Sequence, residues 1–327
     1  MVALSVLDLA VVGEGRTSGE ALHDTTRLAQ AAERLGYLRF WVAEHHNMAT
    51  VASTSPGVLI AHIAAVTDRI HVGSGGVMLP NHAPLAIAEQ FALLEALHPG
   101  RIDLGIGRAP GTDQFTASAF GRDMRQSVEQ FPRDVIDVMG MLGDRRGEGG
   151  LWTRLRATPV AGSRPTVALL GSSGYSAQLA GMLGIPFAYA HHFDTGGTDV
   201  ASQLYFDNFT ASPALDEPYL IVGVGALAAE TDARADYLAL PSKIMRYGIR
   251  TNNRMQLVHP DDAPSHPHAE AARQMPTEQL NGSPERVAEG LRLLVQRTRA
   301  NEIMITGATH NVADRITSLE LIRDAMS

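Results

Sequence analysis

Short runs of β-branched and other apolar residues alternate along the chain with longer segments in which apolar residues recur every three or four positions. This alternation is typical of βα units, in which helices cover a parallel sheet. Eight runs are predicted strands: residues 4–12, 38–43, 70–77, 102–106, 166–170, 186–190, 219–224 and 302–306. Because eight is the strand number of the (β/α)8 TIM barrel, we predict that α/β fold, as a single domain over residues 1–327.

Local signals mark where the helices begin. Thr17 and Glu20 form a capping-box pattern, with a side-chain acceptor three residues before a glutamate. Pro84 precedes an apolar helical pattern, and Ser283 with Pro284 starts another.

A doubly wound open sheet is the main alternative fold. Its support is the sequence from Tyr219 to Ala228, which contains a G-x-G-x-x-A pattern starting at Gly223. A dinucleotide site also needs a second strand that ends in an acidic residue about 20 positions later. Polar, turn-like residues 245–253 follow instead, so we interpret Gly223 and Gly225 as a tight βα turn.

Residues 241–279 interrupt the alternation and are too long for an ordinary connection. Their proline, asparagine, aspartate and histidine content indicates a segment that buries little apolar surface of its own. An insertion after the seventh strand would lie at the catalytic end of the barrel, so we expect a lid, with a solvated excursion as the alternative.

Composition narrows the function classes. The chain has 27 Lys and Arg against 35 Asp and Glu, a net charge of −8, and no cysteine. Without a basic run, nucleic acid and anionic membranes are not expected partners. A disulfide framework, a thiolate metal site and a cysteine nucleophile are excluded. The first residues lack a basic targeting region and no apolar run is long enough to span a bilayer, so we expect a cytoplasmic protein.

Polar residues gather after several predicted strands, at the catalytic end of a TIM barrel. Ser172 and Ser173 open a helix after the fifth strand, and Arg108 follows the fourth. N–H groups and hydroxyls at a helix start bind phosphate, and a neighbouring arginine adds a charge-assisted contact. The pattern predicts an anion site, with simple helix capping by the serines as the alternative.

Two more clusters lie at this end. Gly75 and Gly76 either form a turn or let a flat ring approach the backbone. Glu44, His45 and His46 suggest a divalent-metal site, but adjacent strand residues point to opposite faces, which counts against it. A single catalytic or structural histidine is the other interpretation. The metal site would draw further ligands from His191, His192 and Asp8.

Five stretches together resemble a known family. They are Glu44-His-His-Asn, Val72-Gly-Ser-Gly-Gly-Val-Met-Leu-Pro-Asn-His, Pro99-Gly-Arg-Ile-Asp-Leu-Gly-Ile-Gly-Arg, Leu170-Gly-Ser-Ser-Gly-Tyr-Ser-Ala and Ala190-His-His-Phe. The chain is similar, from about residue 4 to residue 326, to the bacterial-luciferase-like flavin monooxygenases, in their single-subunit luciferase-like branch. The resemblance implies a barrel that binds reduced FMN at its carboxyl-terminal rim and forms a homodimer.

The resemblance also implies residue roles. The implied catalytic residues are His45, which matches the histidine of the oxygenation chemistry, and Glu44 beside it. A non-prolyl cis peptide is expected between the two glycines at 75 and 76, beneath the flavin ring. Gly107 stands where the luciferase α chain has a reactive cysteine, so long-chain aldehyde oxidation and light emission are not expected. The implied cofactor-binding residues are Gly75, Gly76, Arg108, Gly171, Ser172, Ser173 and Tyr175.

We therefore predict a monooxygenase that uses reduced FMN and dioxygen to oxygenate a small organic substrate. No nicotinamide site is predicted, so a separate flavin reductase is expected to supply reduced FMN in a transient encounter. Three alternatives stay open: a deazaflavin-dependent oxidoreductase of the same superfamily, a non-catalytic flavin-binding protein, and a metal-dependent hydrolase.

Overall fold

The computed structural model describes residues 2–109, 114–193, 196–253 and 255–327. All eight predicted strands are present, although the first ends at Asp8 rather than at residue 12, and the seventh continues to Ala228. A short additional strand precedes the last one. The strands are β1 (Ala3–Asp8), β2 (Arg39–Val42), β3 (His71–Met78), β4 (Ile102–Gly107), β5 (Thr166–Gly171), β6 (Phe187–Tyr189), β7 (Leu220–Ala228), β8 (Leu280–Gly282) and β9 (Glu302–Thr306).

Helices follow the strands, and their predicted start signals are confirmed. Thr17 caps the first helix in a capping box with Glu20, Pro84 opens the third, and Ser283 caps the tenth ahead of Pro284. No described helix is both long and apolar enough to cross a membrane. The helices are α1 (Ser18–Arg34), α2 (Pro56–Ala65), α3 (Pro84–Leu97), α4 (Gln114–Ala119), α5 (Met124–Met141), α6 (Gly174–Leu183), α7 (Thr198–Asn208), α8 (Asp232–Arg250), α9 (Ala269–Gln274), α10 (Pro284–Thr298) and α11 (Val312–Ala325).

The sheet closes on itself. Strands β1 to β7 pair in sequence, β7 pairs with β9, and β9 returns to β1, all in parallel. The fold is therefore the predicted TIM barrel with an insertion after its seventh strand. Closure brings the carboxyl ends of all eight barrel strands to one rim.

Alternate strand residues serve two apolar layers. In β2, Phe40 and Val42 pack in the layer between strands and helices, whereas Trp41 packs inside the barrel. The other members of this inner layer include Leu7, Ala168, Ala188, Ile221 and Met304. Because successive side chains of a strand point to opposite faces, a nearly continuous apolar run fills both layers.

The insertion differs from its predicted bounds and packing. Its predicted first residue, Pro241, lies inside α8, so the inserted segment comprises α8, α9 and β8 before α10 resumes the barrel wall. Strand β8 extends the sheet beside the end of β7. The expectation of few apolar contacts is wrong, since the insertion contains its own buried cluster of Leu240, Ile244, Val258, Ala263, Ala269 and Ala272. Closure of this segment over a ligand stays a prediction.

A charged network fills the amino-terminal end of the barrel. The guanidinium of Arg39 donates to Glu302 Oε2 at 3.0 Å and to Asp103 Oδ2 at 2.9 Å. Trp41 also donates to Asp103, and Tyr219 to Glu302. Both carboxylates are fully buried. Burial raises the pKa of Asp103, but the neighbouring His71 ring and the Arg39 charge outweigh it and hold this pKa below its usual value.

We expect Arg39→Met to lower the free energy of unfolding by about 3–5 kcal/mol, because it leaves two buried carboxylates without their shared cation. Urea titration at neutral pH measures the loss. Arg27→Met is the matched control: Arg27 is exposed and pairs with Asp24 on the helix surface, so its loss should be about 0.5 kcal/mol or less. Equal losses in the two variants would contradict a structural role for the network.

Candidate active site

A cavity of about 440 Å³ opens at the carboxyl ends of the barrel strands. This volume lies within the usual range for small-molecule and cofactor sites. Its wall is mainly apolar and includes upper members of the inner barrel layer. These are Leu7, Ala43, Leu170, Ala188, Ile221 and Met304.

One side of the cavity carries groups suited to an anion. Arg108 follows β4, Ser172 and Ser173 follow β5, and these two strands are neighbours in the sheet. Ser173 is the N-cap residue of α6, but its side chain makes no capping hydrogen bond. The capping interpretation therefore fails for Ser173. The first N–H groups of a helix lack intrahelical acceptors, so the start of α6 adds donors beside Arg108.

Two other predicted cofactor-binding residues, Gly171 and Tyr175, contact the elements that carry Arg108 and the two serines. Gly171 lines the cavity, and a Cβ there would lie 2.6 Å from Ser176 Oγ, so only glycine lets α6 start so close to the strand. Tyr175 is not among the residues that line the cavity. Instead its ring lies 4.2 Å from the Arg108 guanidinium carbon, which is a cation–π stack that orients the arginine.

Gly75 and Gly76 also line the cavity, and the peptide between them is cis, as the resemblance implied. The turn interpretation is wrong, because both residues lie within β3. The pairing of β3 with β4 shifts register between Ser74 and Val77. A Cβ at Gly76 would lie 2.8 Å from the carbonyl oxygen of Gly105, so this position has no room for a side chain.

The Glu-His-His cluster divides between two environments. His45 lines the cavity. Glu44 does not; it is fully buried, and its Oε1 lies 2.8 Å from Nε2 of both His46 and His82. An ionised carboxylate only accepts, so both imidazoles donate to it. Glu44, expected to be catalytic, thus lies outside the cavity lining, where it fastens the loop that carries His45 to the end of β3.

Hydrogen bonds keep Glu44 ionised. Burial raises the pKa of Glu44. This rise is outweighed by hydrogen bonds from His82 and His46, the charge of His82 and the N–H of Met78, so the pKa lies below its usual value. The Met78 N–H donates to Oε2 at 3.1 Å. The carboxylate therefore uses both oxygens to join the ends of β2 and β3.

His192 is a cavity residue that the sequence suggested only as a metal ligand. Its Nδ1 lies 3.1 Å from the carbonyl oxygen of Gly223. Burial, with the charges of Arg246, His191 and His45, lowers its pKa to about 4. The ring is therefore neutral at pH 7, donates from Nδ1 to Gly223 and presents Nε2 as an acceptor.

The described residues do not assemble the metal site considered from the sequence. Within them, no three His, Asp or Glu side chains are grouped to hold a metal ion. His191 bonds Thr198 through Nδ1 at 2.8 Å, and Asp8 accepts from Thr25 at 2.6 Å. These groups point to different partners rather than to a common centre.

Gly223 and Gly225 lie within β7, so their interpretation as a βα turn is wrong. A Cβ at Gly223 would lie 3.1 Å from His192 Nδ1, and one at Gly225 would lie 2.9 Å from Gln279 Cγ. The two glycines make room for cavity side chains. The G-x-G pattern thus has a steric reason unrelated to dinucleotide binding.

The sequence also missed the part of the cavity wall that α8 supplies. The lining residues of α8 recur at helical spacing, but several of them are polar or charged. A polar helix face is also typical of solvent exposure, so this pattern did not indicate a cavity wall. Gln279, just before β8, completes this wall. The lining residues of α8 are Ser242, Met245, Arg246, Ile249 and Arg250.

A family model described as luciferase-like monooxygenase matches residues 2–322. The chain is 42% identical over 327 residues to a luciferase-like monooxygenase of Escherichia coli strain K12, covering 99% of this chain and 96% of that protein. It is 33% identical over 336 residues to the N-acetyl-S-alkylcysteine monooxygenase of Bacillus subtilis strain 168, covering 100% of this chain and 98% of that protein.

Solved structures share the fold. Apo-MsnO8 superimposes with a TM-score of 0.91 at 35% identity, covering 99% of this chain and 98% of that one. A TM-score of 0.73 at 19% identity is found for the oxygenating constituent of 3,6-diketocamphane monooxygenase from Pseudomonas putida, in complex with FMN. The match covers 100% of this chain and 98% of that one. An F420-dependent secondary alcohol dehydrogenase gives 0.67 at 14% identity, covering 100% and 99%. The last two likenesses concern the fold alone.

We expect Glu44→Gln to lower the free energy of unfolding by about 1–3 kcal/mol at pH 7, because an amide nitrogen replaces one of the two accepting oxygens. A carboxylate with a lowered pKa stabilises the fold above its unfolded pKa of about 4.3, and the contribution is lost as the pH falls through the folded value. The difference in free energy of unfolding between wild type and Glu44→Gln should therefore become smaller below about pH 4.3.

Urea titrations at a series of pH values from 7 downward measure this difference in free energy of unfolding. The exposed Glu320→Gln is the control and should leave stability unchanged at every pH. A pH-independent loss in Glu44→Gln would show that shape, not charge, explains its effect.

Proposed function

The chain belongs to the luciferase-like monooxygenase family, and within it we propose an FMN-dependent monooxygenase that oxygenates a small organic substrate with dioxygen. The observation that carries the proposal is the group formed by Arg108, Ser172 and Ser173 at one side of an apolar cavity. This arrangement suits a ligand that has a flat apolar ring system at one end and a phosphate at the other.

The anion group supports binding through the phosphate. Arg108 offers a planar fork of donors, and its stack on Tyr175 reduces the freedom that binding would otherwise cost. Ser173 has no capping bond to give up. We therefore assign the phosphate of FMN to Arg108, the serine hydroxyls and the start of α6, with Tyr175 as the residue that orients Arg108.

The choice of FMN over a deazaflavin rests on the relatives. Both FMN-bound and F420-dependent proteins share this fold. The relatives that match the whole chain at 33% and 42% identity are named as monooxygenases. Bound reduced FMN supplies the reaction with dioxygen that a monooxygenase requires.

The chain's own residues supply a dry cavity and groups that handle protons. Apolar side chains of the inner barrel layer exclude water from the reacting end. We assign proton transfer to His45, which lines the cavity from the end of β2. Glu44 positions the loop that carries His45 through its bonds to His46 and His82.

We also propose two partners. A separate flavin reductase delivers reduced FMN; the proposal is supported by the sequence, which predicts no nicotinamide site, and by the steric role of the β7 glycines beside His192 and Gln279. A second copy of the chain forms a homodimer. Exposed apolar side chains on the neighbouring helices α2 and α3 support this assembly, among them Val58 at 74% and Leu97 at 61% exposure.

We expect FMN to bind about 10- to 100-fold more tightly than riboflavin, and Arg108→Ala to remove most of that difference, since a charge-assisted contact is lost. Fluorescence titration of wild type and Arg108→Ala with each flavin measures the two dissociation constants. Arg69→Ala is the control, because Arg69 is exposed at the opposite end of the barrel. Equal affinities for FMN and riboflavin in the wild type would contradict the phosphate assignment.

We expect His45→Asn to reduce turnover by about 10²–10⁴-fold while FMN affinity changes little, because the substitution removes the titratable group and keeps its size. Product formation with N-acetyl-S-methylcysteine, chosen from the Bacillus relative's name, and with small ketones and aldehydes measures turnover. His62→Asn on the surface of α2 is the matched control. A wild type that binds FMN but oxygenates none of these compounds would favour the non-catalytic flavin-binding alternative.

A further inference from the structure

Three uncharged polar side chains line one side of the mainly apolar cavity. They are His192 after β6, Gln279 before β8 and Thr306 at the end of β9. Within the described part of the chain, the Thr306 hydroxyl, the Gln279 carboxamide and His192 Nε2 have no hydrogen-bond partner. A ligand that fills the cavity displaces water from these groups, and each then needs a partner in the ligand.

Two glycines of β7 make room for two of these side chains. Gly223 and Gly225 are alternate strand residues, so they share the inward face with Ile221 of the inner layer. A Cβ at Gly223 would lie 3.1 Å from His192 Nδ1. A Cβ at Gly225 would lie 2.9 Å from Gln279 Nε2. The imidazole and the carboxamide therefore cover successive inward positions of one strand, about 7 Å apart.

Thr306 joins them from the neighbouring strand. In the pairing of β7 with β9, Thr306 lies opposite Gly225, and Met304 of the inner layer lies opposite Gly223. Because Met304 and Thr306 are alternate residues, both are directed into the barrel. Thr306 thus enters the cavity next to the position that Gln279 covers. We call His192, Gln279 and Thr306 the polar strip.

The polar strip has a defined hydrogen-bonding capacity. The neutral ring of His192 donates from Nδ1 to the carbonyl oxygen of Gly223 at 3.1 Å, so its Nε2 carries a lone pair and only accepts. The carboxamide of Gln279 and the hydroxyl of Thr306 can each donate and accept. A complementary ligand therefore brings a donor for His192 and an acceptor for the other two residues.

This requirement separates the common neutral and charged groups of small molecules. A carboxylate has no donor and would face the lone pair of His192 Nε2. A ketone or an ester offers acceptors only, which leaves His192 without a partner. An amide with an N–H carries its donor and its acceptor on separate atoms. It can therefore bond two groups that cover successive positions of a strand.

The polar strip lies across the barrel from the residues assigned to the cofactor. In the closed order of the sheet, β7 is four strands from β3, and β9 is four strands from β4. In a barrel of eight strands, these positions are opposite each other. A flat ring laid on Gly75 and Gly76 of β3 would leave its other face directed toward the polar strip. The space between them is the place for a second molecule.

We propose that the polar strip is the substrate subsite, and that the substrate is a small molecule with a neutral secondary amide. The amide N–H donates to His192 Nε2, and its carbonyl oxygen accepts from Gln279 with the Thr306 hydroxyl beside it. The apolar wall of the cavity receives the remainder of the molecule. This inference rests on the proposed function, because it takes the opposite wall as the site of FMN.

Three compounds of similar size test the requirement for a donor: N-benzylacetamide, N-benzyl-N-methylacetamide and benzyl acetate. Only the first has an N–H, while the second keeps a strong amide carbonyl. Calorimetry on the FMN-loaded protein gives their dissociation constants. We expect N-benzylacetamide to bind about 5- to 100-fold more tightly than each of the others, since these leave His192 Nε2 without a partner.

Substitutions then assign the two functions of the amide. His192→Leu should bring the three compounds within about threefold of one another, because the acceptor for N–H is lost. Gln279→Leu should weaken all three by about 3- to 10-fold and keep their order, because it removes the donor to the carbonyl. In each variant FMN affinity should stay within about twofold of wild type, a shift too small for a lost hydrogen bond.

Gln274→Leu is the matched control. It makes the same change in the same insertion, but the carboxamide of Gln274 is exposed and bonds Glu270 on α9. It should leave the affinities for all three compounds and for FMN unchanged.

Three results would overturn the subsite. They are equal binding of N-benzylacetamide and benzyl acetate, a preference for the N–H that survives in His192→Leu, and a loss of FMN affinity in the variants as large as the loss for N-benzylacetamide. The last result would assign the polar strip to the flavin ring. Titration of the wild type with FMN alone comes first: absence of FMN binding would refute the proposed function itself, whereas normal FMN binding without the preference would refute the subsite only.

Discussion

Closure of the parallel barrel is the constraint on which the rest of the structure depends. Each barrel strand bonds two neighbours, and the pairing of β9 with both β1 and β7 completes the circle. With all strands parallel, whatever follows each strand lies at one rim. His45 and Arg108 are 63 positions apart in the chain and still line one cavity, because the loops that follow β2 and β4 lie at the same rim of the closed barrel.

The two ends of the barrel handle charge in different ways. At the amino-terminal end, Arg39 is neutralised by Glu302 and Asp103, and aromatic donors complete the network. At the carboxyl-terminal end, the described lining has arginines without acidic residues among them. The first end is a buried network of opposite charges suited to stability, whereas Arg108 at the second end lies beside a helix start, an arrangement suited to an anion.

The features that depend on local patterns were predictable from sequence. Strand positions, the Thr17 capping box and the rim placement of Arg108 follow from residues that are near one another in the chain. The family resemblance added the cis peptide between Gly75 and Gly76, which no local pattern indicates. The positions of the rim residues were thus largely foreseen, while the contacts that support them were not.

What the sequence could not indicate depends on tertiary contacts. Glu44 meets His82 only because β2 and β3 are paired, and Gly225 is explained only by the approach of Gln279. Pro241 suggested a break, yet α8 continues through it because its apolar residues pack into a cluster contributed by later segments. Periodicity reports which face of an element is apolar, but not which distant residues cover it.

The insertion has a consequence for how such a protein diversifies. Its helices pack on their own apolar cluster, and the residues that hold Arg108, His45 and the glycines of β3 belong to other parts of the chain. Substitutions on the cavity face of α8 therefore change the shape and charge of the cavity wall, while Arg108, His45 and the glycines of β3 lie on other elements. The closed sheet with its loops thus supplies one part of the cavity wall, and the insertion supplies another.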